Sequence, residues 1–357
     1  MGRVTHPFAD LPPLDVPPGP SLADPLPADR PVRWGILATG KIARAFATDL
    51  ALLPDAELVA VASRRRESAE AFVAELGGPG TRAYDSYEAL VADPDVDVVY
   101  VATPHALHHE NTLMAFAAGK PVLCEKSLTL NAREAEELVR EARGRGLFLM
   151  EAMWMRCNPV VRRIQQLAER GDLGRVQQIR ADLGFLVDRP ETDRLLAPGL
   201  GGGALLDLGI YPLTFAHLFL GEPDQVEAVA TMSPSRIDLN ISMSLGWESG
   251  AVASLSSTMT AWSPRTASIA TDRGRIDIPD GFHEPTEATW TEAGARHVIA
   301  EPVIGTGLGN EAAEVMRCLR NGETESPLVP LEDTLRLMRL MDRIREKIGV
   351  RYAVDLP

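Results

Sequence analysis

Two spacings of apolar residues succeed one another along this chain. From Val32 to about Asn158, short runs of consecutive apolar residues alternate with segments whose apolar positions recur every three or four residues. The runs predict strands buried on both faces, and the segments between them predict amphipathic helices. Strands are expected over residues 32–37, 57–62, 96–102, 121–124 and 147–150, and helices over 42–52, 67–76, 107–118 and 131–143. Asn131 stands at the start of the last helix, where its side chain can accept a hydrogen bond from the first turn. Strands alternating with helices imply a parallel sheet with crossover helices, an α/β Rossmann-type domain.

Beyond residue 158 the period falls to two. Ile237, Leu239, Ile241, Met243 and Leu245 alternate with Asp238, Asn240, Ser242 and Ser244, which predicts a strand with the polar set on a wet face. Glu248-Ser249-Gly250 turns the chain into a second strand over 251–258, and two more are expected over 266–271 and 275–278. Helices are expected over 159–170, 204–220, 310–320 and 331–347. This half is an α+β domain with an open, mainly antiparallel sheet. A chain of 357 residues has room for two cores. The expected division is an arm over 1–30, the parallel-sheet domain over 31–157 and the α+β domain over 158–357.

Composition narrows the function classes. With 45% hydrophobic and 24% charged residues the chain reads as a globular protein, and its net charge of -14 disfavours DNA and anionic membranes, which are themselves negative. A small neutral substrate suits it better. Cys124, Cys157 and Cys318 are scattered without metal-like spacing, which predicts free thiols and a cytoplasmic location. No run approaches the roughly 18 consecutive apolar residues of a membrane helix. The first 31 residues include nine prolines and no apolar core, so neither a signal peptide nor a helix is expected there, but an extended arm.

Chemistry concentrates at the predicted strand ends. Gly35-Ile36-Leu37-Ala38-Thr39-Gly40-Lys41-Ile42-Ala43 joins the first strand to the first helix, where a dinucleotide pyrophosphate would rest on backbone N–H groups. The spacing is G-x-G-x-x-A with Ala38 in place of the first glycine, a replacement tolerated where its backbone angles are ordinary. The second strand ends about 20 residues later at Ser63-Arg64-Arg65-Arg66, where an NAD site would present Asp or Glu. A hydroxyl and guanidinium groups suit a 2′-phosphate instead, so NADP is expected over NAD. A solvated arginine run opening a helix is the plainer alternative. Thr103-Pro104-His105-Ala106-Leu107-His108-His109 follows the third strand and should pass near the nicotinamide. Its three histidines lack a nearby Cys/His pair to complete a tetrahedral zinc set, so no metal is expected.

Only four of the 36 basic residues are lysines, and Lys126 closes Val122-Leu123-Cys124-Glu125-Lys126 at a strand end. Lysine, unlike arginine, readily changes its proton affinity on burial, which suits proton handling. Further on, Gly201-Gly202-Gly203 opens a helix bearing Asp207 and Tyr211, four residues apart and therefore on one face. A core tyrosine satisfied by an aspartate has the same spacing.

These motifs, in this order, resemble the Gfo/Idh/MocA oxidoreductases, and within them the branch of dimeric trans-1,2-dihydrodiol dehydrogenases, NADP-dependent D-xylose dehydrogenases and sugar ketoreductases. The match runs from Arg33-Trp34-Gly35-Ile36 through Thr103-Pro104, Cys124-Glu125-Lys126 and Met150-Glu151-Ala152-Met153-Trp154 to the stretch from Gly201 to Tyr211. The resemblance implies an NADP(H)-dependent enzyme acting on a sugar or diol. Tyr211 would be its general acid/base, Lys126 the cation that stabilises the phenolate, and Asp207 an orienting group. An ordinary tyrosine ionises only near pH 10, so such a cation is needed.

The resemblance further implies cofactor contacts at Ala38, Thr39, Gly40, Lys41, Ile42, Ser63, Arg64, Arg65, Thr103, Pro104, His105, His108, Glu125, Lys126, Trp154 and Arg156. Trp154 matches a tryptophan lining the substrate pocket, with a buried core indole as the alternative. Substrate selection would fall to loops that include Arg189, Arg194, Trp262 and His283. Ser127 replaces the proline of the usual Glu-Lys-Pro, which removes a rigid residue beside Lys126. The resemblance also implies a homodimer or homotetramer formed through the C-terminal sheet, with the arm lying across a neighbouring subunit.

Two rival readings are separable. Short-chain dehydrogenases place lysine four residues after tyrosine, and no tyrosine here has that partner. A non-catalytic NADP-binding regulator of the same family would have no use for both Lys126 and Tyr211.

Overall fold

The computed structural model describes residues 11–21 and 23–356. They form two compact units: Val16–Cys157 with Val303–Leu335, and the remainder. The helix over Leu308–Arg320 therefore belongs to the parallel-sheet unit, whereas the sequence places it in the C-terminal domain.

In the first unit, strands β1 (Val32–Leu37), β2 (Ala56–Ala62), β3 (Arg82–Tyr84), β4 (Val98–Val101), β5 (Val122–Glu125) and β6 (Leu149–Ala152) make one sheet. Its order is β3-β2-β1-β4-β5-β6 and every pair is parallel. The order reverses between β1 and β4, the topological switch point at which such sheets bind nucleotides. The connections are α1 (Lys41–Leu50), α2 (Arg66–Leu76), α3 (Tyr87–Val91), α4 (His108–Ala117) and α5 (Ala132–Arg145), followed by the short α6 (Trp154–Cys157). Asn131 caps α5 by accepting the Glu134 N–H at 3.0 Å.

In the second unit α7 (Pro159–Glu169) precedes β7 (Val176–Gly184), and a π-helical turn (Leu205–Gly209) runs into α8 (Ile210–Leu220). Strands β8 (Gln225–Met232), β9 (Asp238–Gly246), β10 (Val252–Thr258), β11 (Ala267–Thr271), β12 (Gly274–Ile278), β13 (Glu287–Glu292) and β14 (Ala295–Ala300) complete an eight-stranded sheet ordered β14-β13-β12-β11-β7-β10-β9-β8. It is mixed, because β7 and β10 pair in parallel while the other neighbours are antiparallel. One face carries a polar trough of about 700 Å³ lined by Arg180, Asp182, Ser268, Asp277 and Arg296 among others. The stretch Pro198–Leu220 is long and apolar enough to cross a membrane, but 83% of its most apolar window is buried, which makes it a core helix.

The chain then returns to the first unit through α9 (Leu308–Arg320) and begins α10 (Leu331–Ile348) there. Gly307, at the start of α9, has no side chain to cap it. Asp49 of α1 does that work, accepting from the N–H groups of Thr306 at 2.8 Å and Gly309 at 3.1 Å. The described part of the arm makes hydrogen bonds within its own chain. The Pro20 carbonyl accepts from the Thr324 N–H at 2.7 Å and the Pro27 carbonyl from Arg320 at 2.6 Å. In the second unit, the Pro12 carbonyl accepts from Arg163 at 2.8 Å. The expectation for the first ten residues lies outside the described residues. All three cysteines are buried free thiols.

Glu311 of α9 is wholly buried, and neither carboxyl oxygen has a hydrogen-bond partner among the described residues. Burial, reinforced by the charges of Glu125 and Asp49, pushes its proton affinity well above the usual carboxylate range. The unfolded chain ionises this group near pH 4.3, so the native state loses stability as pH rises above that value, by up to about 1.4 kcal/mol per unit. Glu311→Gln, which mimics the protonated form, is expected to raise the thermal midpoint at pH 8 and to change it little at pH 5. An equal effect at both pH values would show that Glu311 is ionised throughout.

Candidate active site

The residues of the first unit expected to meet a cofactor stand at the carboxyl ends of adjacent strands. After β1 the chain turns at Ala38, whose N–H donates to the Ala62 carbonyl at 2.9 Å. Gly40 and Lys41 then open α1, which has no side-chain cap and no acidic residue in its first turn. A Cβ on Gly40 would meet nothing within 4 Å. Uncapped N–H groups facing open space fit a dinucleotide pyrophosphate, which Ala38, Thr39, Gly40, Lys41 and Ile42 would hold through their backbone. Ala38 does not have ordinary angles, since its φ is +85°, the left-handed region. That conformation costs an L-residue about 1–2 kcal/mol, partly offset because glycine also loosens the unfolded chain. Ala38→Gly is therefore expected to stabilise the protein by roughly 0.5–1 kcal/mol in urea denaturation. A loss of stability would mean that the methyl packs usefully.

At the end of β2, Ser63 Oγ accepts from the Arg65 N–H at 3.4 Å. Arg66 pairs with Glu70 at 2.8 Å and approaches Asp85 at 3.8 Å. Arg64 and Arg65 are exposed and, among the described residues, join no ion pair. The run thus divides into one arginine tied to its helix and two directed outward.

The loops after β4 and β5 are tied together. His105 Nε2 lies 3.1 Å from the Lys126 carbonyl, and His108 bridges the Ser127 carbonyl (2.9 Å) and the Thr103 carbonyl (2.8 Å). Asn111 donates to Thr103 Oγ1 at 3.2 Å. These histidines hold backbone, and among the described residues no three His, Cys, Asp or Glu side chains converge as metal ligands would. The Lys126–Ser127 peptide is cis. Glu125 is buried, accepting the Tyr100 hydroxyl and the Lys126 N–H, so the residue before Lys126 anchors it while Lys126 itself is half-exposed.

Two expected contacts look different in the structure. The Arg156 guanidinium is buried, donating to the Leu328 carbonyl at 2.7 Å and to Asp333 at 2.9 Å, which makes it a brace for the segment before α10. Trp154 is half-buried, with its six-membered ring against Gly307, where a Cβ would stand 3.1 Å away.

In the second unit Asp207 lies on the π-helical turn and Tyr211 on the first turn of α8, both buried. A π-turn adds a residue to the helical repeat, and such turns occur often at functional sites. Arg194 donates to Asp207 Oδ1 at 2.9 Å, and the Tyr211 ring packs on His283 with centroids 5.0 Å apart. Of the loop residues expected to select substrate, Arg194 and His283 join this cluster. Arg189 instead pairs with Asp193 at 2.9 Å, and Trp262 is 75% exposed.

Sequence reasoning missed Asp238 and Tyr352. Asp238 is fully buried rather than on the wet face, and one oxygen accepts the Leu205 N–H at 2.6 Å. Tyr352 donates to the Gly202 carbonyl at 2.9 Å. The one signal for Asp238 was a carboxylate in an otherwise uncharged alternating strand, and nothing in the sequence around Tyr352 marked it.

Comparison with known proteins identifies the family of both halves of the chain. A model of the oxidoreductase family with NAD-binding Rossmann fold, Gfo/Idh/MocA, matches residues 32–153, and one of the Gfo/Idh/MocA C-terminal domain matches 161–277. Trans-1,2-dihydrobenzene-1,2-diol dehydrogenase of Mus musculus is 36% identical over 336 residues, covering 91% of this chain and 99% of that protein. The Xenopus tropicalis protein of that name is 38% identical over 330 residues, covering 90% and 99%. A 3-ketoreductase from Actinomadura kijaniata, solved with NADP and TDP-benzene, superposes with a TM-score of 0.78 at 29% identity, covering 92% of this chain and 100% of that one. An aldose-aldose oxidoreductase from Caulobacter crescentus complexed with glycerol gives 0.81 at 26% identity, covering 90% and 98%. With both halves matched, the chain belongs to the Gfo/Idh/MocA oxidoreductases.

Proposed function

We propose that this protein is an NADP(H)-dependent oxidoreductase that interconverts an alcohol and a carbonyl on a sugar, a sugar derivative or a dihydrodiol. The observation that carries the reading is the presence of Lys126 at a strand end and Tyr211 at a helix start in a chain more than a third identical, over nine-tenths of its length, to dihydrodiol dehydrogenases. Bound NADPH supplies the hydride. Tyr211 gives its phenolic proton to the alkoxide as the carbonyl is reduced, and solvent returns that proton. Lys126 supplies the positive charge that stabilises the phenolate between those events. Asp207, held by Arg194, orients the polar groups around it. In the oxidising direction Tyr211 takes the proton of the alcohol.

The choice of NADP rests on Ser63, Arg64 and Arg65 at the end of β2, where a carboxylate would repel a 2′-phosphate and guanidinium groups neutralise it. Arg64→Glu is expected to lower kcat/KM for NADPH about 10–100-fold and to leave the value for NADH nearly unchanged. Equal losses with both cofactors would remove Arg64 from the phosphate site. The function itself is tested by following nicotinamide absorbance with NADP and then NAD. The substrate panel holds D-xylose, D-glucose, keto sugars, vicinal diketones and an aromatic trans-dihydrodiol. Turnover on one class is the expected result; tight NADPH binding without turnover on any would overturn the reading.

A further inference from the structure

A strict period of two along β9 would put Asp238 on the same wet face as Asn240, Ser242 and Ser244. The structure departs from that period at one place. Asn240 pairs with Thr231 and Asp238 with Met232, so Leu239 is an extra residue of β9 inserted between two that face consecutive residues of β8. Such a bulge turns the next side chain to the other face, and bulges commonly re-aim side chains beside active sites. Here the carboxylate of Asp238 is carried from solvent into the interior, with no exposed surface left.

Its destination is the start of the helix that bears Asp207 and Tyr211. That helix has no side-chain cap of its own. One Asp238 oxygen accepts the Leu205 N–H at 2.6 Å, a charge-assisted bond at the positive end of a helix. The other oxygen lies against Gly203, where φ is +138° and a Cβ would come within 2.5 Å of it. Only glycine fits there, so the last residue of the Gly201-Gly202-Gly203 run is explained by Asp238. Tyr352 completes the clamp from the C-terminal segment by donating to the Gly202 carbonyl at 2.9 Å.

We propose that Asp238, with Tyr352 behind it, is a positioning residue that fixes Asp207 and Tyr211 for proton transfer by capping the helix that carries them. This rests on the reading of Tyr211 as the general acid/base. The charged and titratable groups that act on Asp238 are Arg345 of α10 and Tyr352, and Tyr352 in turn feels Arg345, Asp355 and Asp207. Arg345 is itself engaged with Asp342 at 2.6 Å and Asp355 at 2.5 Å. Burial pushes the Asp238 carboxyl up to about 6, against the pull of the backbone N–H groups and Arg345. Protonation below that pH weakens the cap, so activity should fall as pH drops through it.

The test is Asp238→Asn, which keeps the shape and removes the charge, beside Tyr352→Phe. In Asp238→Asn, kcat is expected to fall about tenfold with KM for NADPH unchanged, and the acid limb of the pH profile to disappear. Tyr352→Phe should lower kcat by about two- to fivefold in the same direction. Amide exchange at Leu205 should quicken about tenfold in Asp238→Asn while exchange in β10 stays as it was. A kcat per folded molecule and a pH profile identical to wild type, even with a lowered thermal midpoint, would overturn the proposal. Should the wild-type protein turn over no substrate, the proposed function fails, while the Leu205 exchange rate still decides whether Asp238 holds the helix. Unchanged exchange there would overturn the positioning role independently.

Discussion

Tyr211→Phe is expected to lower kcat by about 10²–10⁴-fold while NADPH binding and the thermal midpoint stay close to wild type. The substitution removes one oxygen, and the ring keeps its packing against His283. In the proposed mechanism it removes the group that passes a proton to the developing alkoxide, a contribution made in the transition state and absent from cofactor binding. Steady-state rates, with cofactor affinity followed by NADPH fluorescence, separate the two. A regulator that only senses NADP would keep every binding property in this variant. Wild-type turnover in Tyr211→Phe would assign proton transfer elsewhere.

Lys126→Met is expected to cost about 10²–10³-fold in kcat, because it deletes the positive charge that, in the proposed mechanism, stabilises the phenolate. Lys126→Arg should recover little of this. A planar guanidinium is longer, differently directed and more weakly hydrated than a compact ammonium. Since Glu125 holds the Lys126 N–H through its own buried carboxylate, the backbone at 126 is fixed independently of the lysine side chain. The loss should therefore appear in kcat and leave the thermal midpoint nearly unmoved. Full activity in Lys126→Arg would mean that any cation suffices.

The parallel sheet was legible because its strands are apolar on both faces and its connections are regular helices. What escaped was short or non-local. β3 is three half-buried residues and α3 five residues, too few to show a period. β7 pairs with β10 and β11, strands some seventy or more residues later, and nothing in its own polar, arginine-bearing sequence announces that partnership. The motif glycines, Lys126, Asp207 and Tyr211 were legible because each sits at a strand end or helix start that the pattern locates. Asp238 was hidden by one extra residue. A bulge at Leu239 carries Asp238 to the buried face while Ile237 stays buried beside it, and no spacing rule counts a residue that the partner strand lacks. Ala38 escaped for a related reason, since residue identity does not report its left-handed φ.

The return of residues 303–335 to the unit that begins at Val16 bears on how the protein is made. Domains of a nascent chain fold as they emerge, N-terminal ones first. Here the nucleotide-binding unit emerges early but cannot close. Asp49 must wait for the N–H groups of Thr306 and Gly309, and Glu151 for the hydroxyl of Thr334, 2.9 Å away in the finished protein. Until the last fifty or so residues are synthesised, that unit carries carboxylates destined for its interior with nothing to receive them. A stop codon near the C-terminus would therefore damage the cofactor site first in the chain as surely as the helices it deletes.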